Sequence, residues 1–404
     1  MERQYKDSGI EWIGQIPTKW KVAPHKRIMH KIKQLCPKYN GEDIISLTMN
    51  GVVVRDLTTG GKMPTSFDGY QYVYPGNLLM CLFDIDVTPR CVGYIKNEGL
   101  TSPAYSQFEL FEGAHGPYYD YLLRYMDDEK CILHLSKNLR SSLTEDDFGQ
   151  ILSIIPPYRE QQRIADYLDK KCAEIDGLIE LQEQMITQLT DYKQSVITEA
   201  VTKGINPDAQ LVPSGIDWIG DVPEGWMMKR LKFLCTIQTG NQDTQDSDPA
   251  GLYPFYVRSP IVEKSNKISF EGEGILMAGD GAGAGRVFHH VFGKYAVHQR
   301  VYRLANIRGI NSYYLYYFLS SLFCKEMDRG SAQSTVPSVR LPMLQNFSIC
   351  IPSKDEQLSI VKHLDKKCGE IDNLIEVKQQ KIEMLKEYKK SLIFECVTGK
   401  KEIN

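Results

Sequence analysis

The densest collection of side chains able to read a base edge or neutralise a phosphate lies at Val297-His298-Gln299-Arg300-Val301-Tyr302-Arg303. An arginine fork fits the two acceptors on the major-groove edge of guanine, and a glutamine amide fits the donor and acceptor of adenine. The β-branched and aromatic residues around them make the run strand-like. Basic residues also gather in two places: Lys19, Lys21, His25, Lys26, Arg27, Lys31 and Lys33, then Lys229, Arg230 and Lys232. Phosphate contact needs such local charge, and its recurrence in both halves sets a DNA-backbone role level with the default of a solvated face. The candidate DNA contacts are therefore Lys26, Arg27, Lys229, Arg230, Arg258, His298, Gln299 and Arg300.

Several patterns suggest chemistry and lack what that chemistry needs. Ile155-Pro156-Pro157-Tyr158 has the outline of the Asn/Asp-Pro-Pro-Tyr loop of amino-methyltransferases, but Ile155 cannot accept a hydrogen bond from a target amino group. The glycine-rich stretch Gly279 to Gly285 has no following Gly-Lys-Ser/Thr and no spaced acidic residue, so it is expected to connect strands and not to hold a nucleotide. His289, His290 and His298 have no companion cysteines or carboxylates at ligand spacing, which predicts exposed or base-contacting imidazoles and no metal. Ten cysteines occur without a CxxC, as buried thiols would. No catalytic residue and no cofactor site is expected on this chain.

These groups must be positioned by a repeated frame. Ser8-Gly9-Ile10-Glu11-Trp12-Ile13-Gly14-Gln15-Ile16-Pro17-Thr18-Lys19-Trp20 returns as Ser214 to Trp226 with eight of thirteen positions identical. Pro156 to Glu180 returns as Pro352 to Glu376 with fifteen of twenty-five identical. Between these frames, from about Val22 to Phe148 and from about Met228 to Leu344, the halves share only traces, such as Gly76-Asn77-Leu78-Leu79 against Gly274-Ile275-Leu276-Met277. Such interiors read as mixed α/β, with short strands and tight turns.

The closing segments carry heptad spacing: Leu168, Ile175, Leu178, Ile179 and Leu189 in the first, Leu364, Ile371, Leu374, Ile375 and Leu385 in the second. Prolines 156, 157 and 352 suit the helix starts, and Gly204 and Gly399 the ends. A helix from Tyr158 to Val201 would run about 65 Å at ~1.5 Å per residue, a length that needs a partner. Two such helices repeated in one chain sense predict an intramolecular antiparallel pair, with Gln182 and Lys378 as a polar break in the same slot.

Length and composition agree with two or three globular domains: 404 residues, 42% hydrophobic, 25% charged, net charge -3. So small a charge argues against coating nucleic acid by bulk attraction, leaving a local surface or one shared with partners. No apolar run approaches the ~18 residues of a membrane span, and the polar start lacks a secretory signal, so a cytoplasmic chain is expected.

Opening motif, variable interior, Pro-Pro-x-x-Glu-Gln helix, then the same again: this resembles the DNA specificity subunit of type I restriction-modification systems along the whole chain. The resemblance rests on Gly9 to Gly14 with Pro17 and Trp20, on Pro156 to Ile179, on their copies, and on Val297-His298-Gln299-Arg300-Val301. It implies an α/β (α+β) fold of two pseudo-symmetric target-recognition domains, joined by two long helices packed as an antiparallel coiled coil. The implied organisation is a first domain with its repeat motif over 1–157, a spacer helix over 158–203, a second domain over 204–352, and a second helix with tail over 353–404. It further implies a non-catalytic subunit that reads a bipartite site in double-stranded DNA. The methyltransferase subunits, two of them, would dock on the helices, and restriction/translocase subunits would join. S-adenosylmethionine, ATP and Mg would sit on those partners. From a different class, a coiled-coil scaffold joining partners without touching DNA is the competing reading.

Overall fold

The computed structural model describes residues 3–58, 64–131, 133, 141–330 and 337–403. The chain divides into two compact units: Met1–Gln182 with Gln380–Asn404, and Glu183–Gln379.

In the first unit a four-stranded antiparallel sheet runs Met29–Ile32, Ser106–Leu110, Leu78–Met80, Val92–Tyr94. Its third strand is buried throughout because both of its faces are covered. Leu78 and Met80 enter the core formed with helix α1 (Gly116–Asp128), while Leu79 points into a second cluster with Ile45, Val73 and Ile95; alternate side chains of a strand must serve opposite faces. The second cluster lies under two short ladders, Ile45–Thr48 with Gly51–Val54 and Gln71–Val73 with Gly99–Thr101, joined by a parallel bridge from Ile44 to Leu100. Helix α2 (Glu145–Gln150), capped by Thr144, leads to Leu152–Ile155, which pairs with Lys21–Pro24. The long helix α3 (Tyr158–Lys203) follows.

The second unit has the same topology. Its four-stranded sheet runs Thr236–Thr239, Val301–Ala305, Gly274–Ala278, Phe288–Val291, and the register also matches: Phe108 faces Lys31 and Leu78, as Leu304 faces Ile237 and Ile275. Tyr253–Tyr256 runs parallel to Lys294–Val297, the counterpart of the Ile44 to Leu100 bridge. Helices α4 (Ser312–Gly330) and α5 (Leu341–Asn346) and the strand Ser348–Ile351 then precede α6 (Lys354–Val397). The two interiors, almost unrelated in sequence, are one fold.

The conserved-looking repeats within the chain are the frame that closes each unit. In the first unit the indole of Trp20, 0% exposed, donates to Glu160 at 2.9 Å, and Gln161 accepts the His115 N–H at 2.8 Å while donating to the Pro156 carbonyl. In the second, Trp226 donates to Glu356 at 3.1 Å, and Gln357 accepts the Asn311 N–H at 2.7 Å while donating to the Pro352 carbonyl. The Tyr118 hydroxyl caps the Val397 carbonyl at 2.7 Å, as Tyr314 caps that of Val201 at 3.0 Å. Each unit thus joins an opening motif to the start of one long helix and the end of the other. Beyond those ends Gly204 and Gly399 take φ of +74° and +75°, the left-handed stop that glycine tolerates best.

Helices α3 and α6 pack together within each unit through opposite halves. In the first, Lys389 of α6 reaches both carboxylate oxygens of Asp176 of α3 at 2.7 Å; in the second, Lys193 of α3 reaches Asp372 of α6 at 2.6 and 2.7 Å. Leu168 and Ile175 are buried with Leu392 and Val397, and Leu364 and Ile371 with Ile197 and Val201. Ile179 and Leu385 pack at the edge of the first core, and Leu189 and Ile375 are half-buried. Leu178 and Leu374 do not belong to this seam: they are 45% and 50% exposed. Adjacent helical residues point about 100° apart, so when Ile179 and Ile375 continue the stripe four residues after Ile175 and Ile371, Leu178 and Leu374 turn to solvent. Gln182 is buried in the first unit and Lys378 is half-buried in the second.

Candidate nucleic-acid interface

In the second unit the sequence Val297 to Arg303 is not one strand. Lys294–Val297 ends one sheet, Val301–Ala305 begins another, and His298-Gln299-Arg300 is the turn between them. Each N–H of that turn is held: His298 by the Tyr256 carbonyl at 3.0 Å, Gln299 by the Gln242 carbonyl at 2.7 Å, and Arg300 by the His298 Nδ1 at 3.0 Å. The turn is therefore rigid backbone with Gln299 and Arg300 directed outwards.

His298 is the exception to the expected exposure. Its side chain is 4% exposed and stacks over Phe255, because its ring nitrogen is occupied in holding the turn. Burial lowers its pKa, helped by the nearby Arg258, and the ring is turned inwards to support the turn. His290 is likewise covered, between Tyr313, Phe292 and Tyr316, with Glu273 at 2.9 Å. Among the described residues there is no cluster of three or more His, Cys, Asp or Glu able to hold a metal.

The glycine-rich stretch connects Gly274–Ala278 to Phe288–Val291 and has a packing purpose. A Cβ on Gly279 would stand 2.8 Å from the Arg300 carbonyl oxygen, and one on Gly283 2.3 Å from that of Arg258. The glycines let this loop lie against the backbones of both arginine-bearing segments. Asp280, on the same loop, pairs with Arg258 at 3.1 Å and approaches Arg300 at 3.6 Å. Arg258, Gln299 and Arg300 thus form one group; the Arg300 side chain is 65% exposed. Beside them an open cleft of about 640 Å³ is lined by Arg258, Ser259, Glu263, Asp280 and Gly281.

The basic clusters are placed elsewhere in each unit. Lys26 and Arg27 sit on the single turn His25–Arg27, where Lys26 donates to Gln150 at 3.2 Å; the matching turn is Leu231–Phe233, where Lys232 donates to Asn346 at 3.2 Å. The counterpart of Lys26 is therefore Lys232, while Lys229 and Arg230 lie on the preceding strand, Met227–Arg230. His25 is fully buried against Phe148 at 4.5 Å, in the place of Leu231, and burial pushes its pKa down to about 4. It is neutral at pH 7 and brings no charge to this turn. Lys31 is ion-paired with Glu145.

At the position of the Gln299-Arg300 turn, the first unit has Ser102 to Tyr105, whose carbonyls at 102 and 105 are held by the buried Gln71 amide at 2.9 and 2.7 Å. Pro103 and Ala104 bring no side-chain donor there. In place of the glycine loop the first unit exposes Val87, and Arg90 is engaged by Asp128 at 2.8 Å. One scaffold therefore carries two different surfaces. Asp243 and Asp280 complete these groups and were not among the candidates from sequence, while Lys232 was noted only within its basic cluster; for Asp243 the signal available is its capping-box spacing to Asp246.

Residues 223–387 match the family model described as the type I restriction modification DNA specificity domain. The chain is thus similar to type I specificity subunits. Among its relatives, the EcoDI specificity subunit of Escherichia coli is 27% identical over 45% of the chain and 39% of the relative. The MjaVIII specificity subunit of Methanocaldococcus jannaschii is 25% identical over 63% of each. These matches span less than two thirds of both relatives. The putative MjaX specificity subunit of the same organism is 23% identical over 96% of the chain and 95% of its own length. The fold is shared with a chain from a structural study of type I R-M complex assembly and conformational transition, at TM-score 0.70 and 16% identity, covering 95% and 99% of the two chains. It is also shared with the HsdS subunit of Thermoanaerobacter tengcongensis, at TM-score 0.51 and 15% identity, covering 95% and 98%.

Proposed function

We propose that the chain reads a bipartite sequence in double-stranded DNA, one half through each unit, and directs the methyltransferase and restriction subunits of a type I complex to it. The observation that carries this is one topology displaying different groups at one position: Gln299 and Arg300 in the second unit, Pro103 and Ala104 in the first. A scaffold that only joins proteins has no use for a rigid turn presenting base-reading side chains. Lys26 with Arg27, and Lys232 with Arg230, would meet phosphates. The long helices would act as an antiparallel coiled-coil spacer between two target-recognition domains. Their exposed Leu178 and Leu181 recur as Leu374 and Val377, which suits two copies of one methyltransferase subunit. The chemistry, with S-adenosylmethionine, ATP and Mg, would belong to those partners, in the cytoplasm. Among the described residues no helix is long and apolar enough to cross a membrane.

Arg300→Ala tests this directly. It is expected to cost about 1–3 kcal/mol of discrimination at one position of one half-site, leaving the other half unchanged, in competition binding by the assembled complex. Unaltered preference at every position would remove Arg300 from the interface.

A further inference from the structure

We infer that Asp243 sets which base Gln299 accepts, and that this base is adenine; the inference rests on the DNA-reading role proposed above. The Asp243 carboxylate is fixed before any DNA arrives. Its Oδ1 accepts the Thr244 N–H at 2.7 Å, and its own N–H donates to Asp246 at 3.0 Å, closing a capping box over the turn Thr244–Asp246. Lys267 anchors Asp246 at 2.5 Å. The remaining oxygen, Oδ2, receives Gln299 Nε2 at 2.7 Å.

A carboxylate only accepts, so the glutamine must turn its NH₂ end to Asp243. That fixes the amide: one N–H is spent on Asp243, and the other N–H stays beside the carbonyl Oε1. Donor and acceptor side by side match the N7 and N6 groups of adenine, whereas guanine presents two acceptors. The backbone cannot relieve the constraint, because Gln299 N–H is held by Gln242 and the Arg300 carbonyl by the Gly279 N–H at 2.8 Å. Asp243 is in this sense a positioning residue, which acts through Gln299 without touching the base.

Asp243→Asn keeps the cap, since an asparagine oxygen serves Thr244 equally well, but it offers an NH₂ in place of Oδ2. The Gln299 amide then reverses, with Oε1 towards the new donor and both N–H groups outward. The test uses the full chain assembled with its methyltransferase subunits, in competition binding against duplexes changed singly along the half-site of the second unit. The parent is expected to prefer adenine over guanine at one position and to lose that advantage when 7-deazaadenine removes N7. Asp243→Asn should lower the preference about 5- to 150-fold and abolish the 7-deazaadenine effect, with first half-site selectivity and melting temperature unchanged. Retained preference in Asp243→Asn, beside its loss in Gln299→Ala, would overturn the positioning role. No change in Gln299→Ala would overturn the adenine assignment. A parent complex indifferent to both half-sites would overturn the DNA-reading role itself, and this inference with it.

Discussion

Replacing the interior from about Met228 to Leu344 by that of a relative is expected to exchange one half of the recognised DNA sequence and leave the other half as it was. The segment contains both four-stranded sheets of the second unit, the glycine loop and the Gln299-Arg300 turn, while the frame residues that hold it lie outside: Trp226 with Glu356, Gln357, which accepts the Asn311 N–H of the segment, and the strand Ser348–Ile351. A graft that preserves Asn311, the Tyr314 hydroxyl and the strand registers should seat on the same helices. Duplexes selected from a randomised pool by the assembled complex would show the exchange. Changes in both halves would mean that readout is not divided between the units.

The second large effect is on stability. Trp20→Ala removes a fully buried indole that packs beside Gly399 and holds Glu160, and should cost about 3–5 kcal/mol in the first unit. Trp226→Ala makes the same change where the indole is partly exposed, so the cost should be smaller. Denaturant unfolding of the two variants checks both size and order. Equal, small losses would mean that the tryptophans do not lock the frame.

The parts of the fold legible in the sequence are those set by local pattern. Heptad spacing, prolines before and glycines after located α3 and α6, and the internal copies marked the frame. The sheets were not legible, because strand pairing is fixed by partners far along the chain; nothing in Gln107 and Arg303 says that they occupy one register position. The Val297 to Arg303 run looked like a strand because valine and tyrosine flank it, yet the hydrogen bonds that bend it come from Tyr256 and Gln242. His298 looked exposed for want of any sign of Phe255 beneath it. Arginines and glutamines can be counted as base readers from sequence, but the aspartates that orient them, Asp243 and Asp280, are identified only by proximity. Leu178 and Leu374 show the limit even of periodicity, since two neighbouring apolar residues compete for one place in a seam.

Modified-base sequencing of DNA from cells that carry the chain with its methyltransferase subunits, against cells lacking only the chain, tests the central claim most directly. Two recognition units on one scaffold predict methylation at a split motif, two different specified halves separated by unspecified bases, present only with the chain. Methylation at one uninterrupted motif, or the same methylation without the chain, would contradict the account.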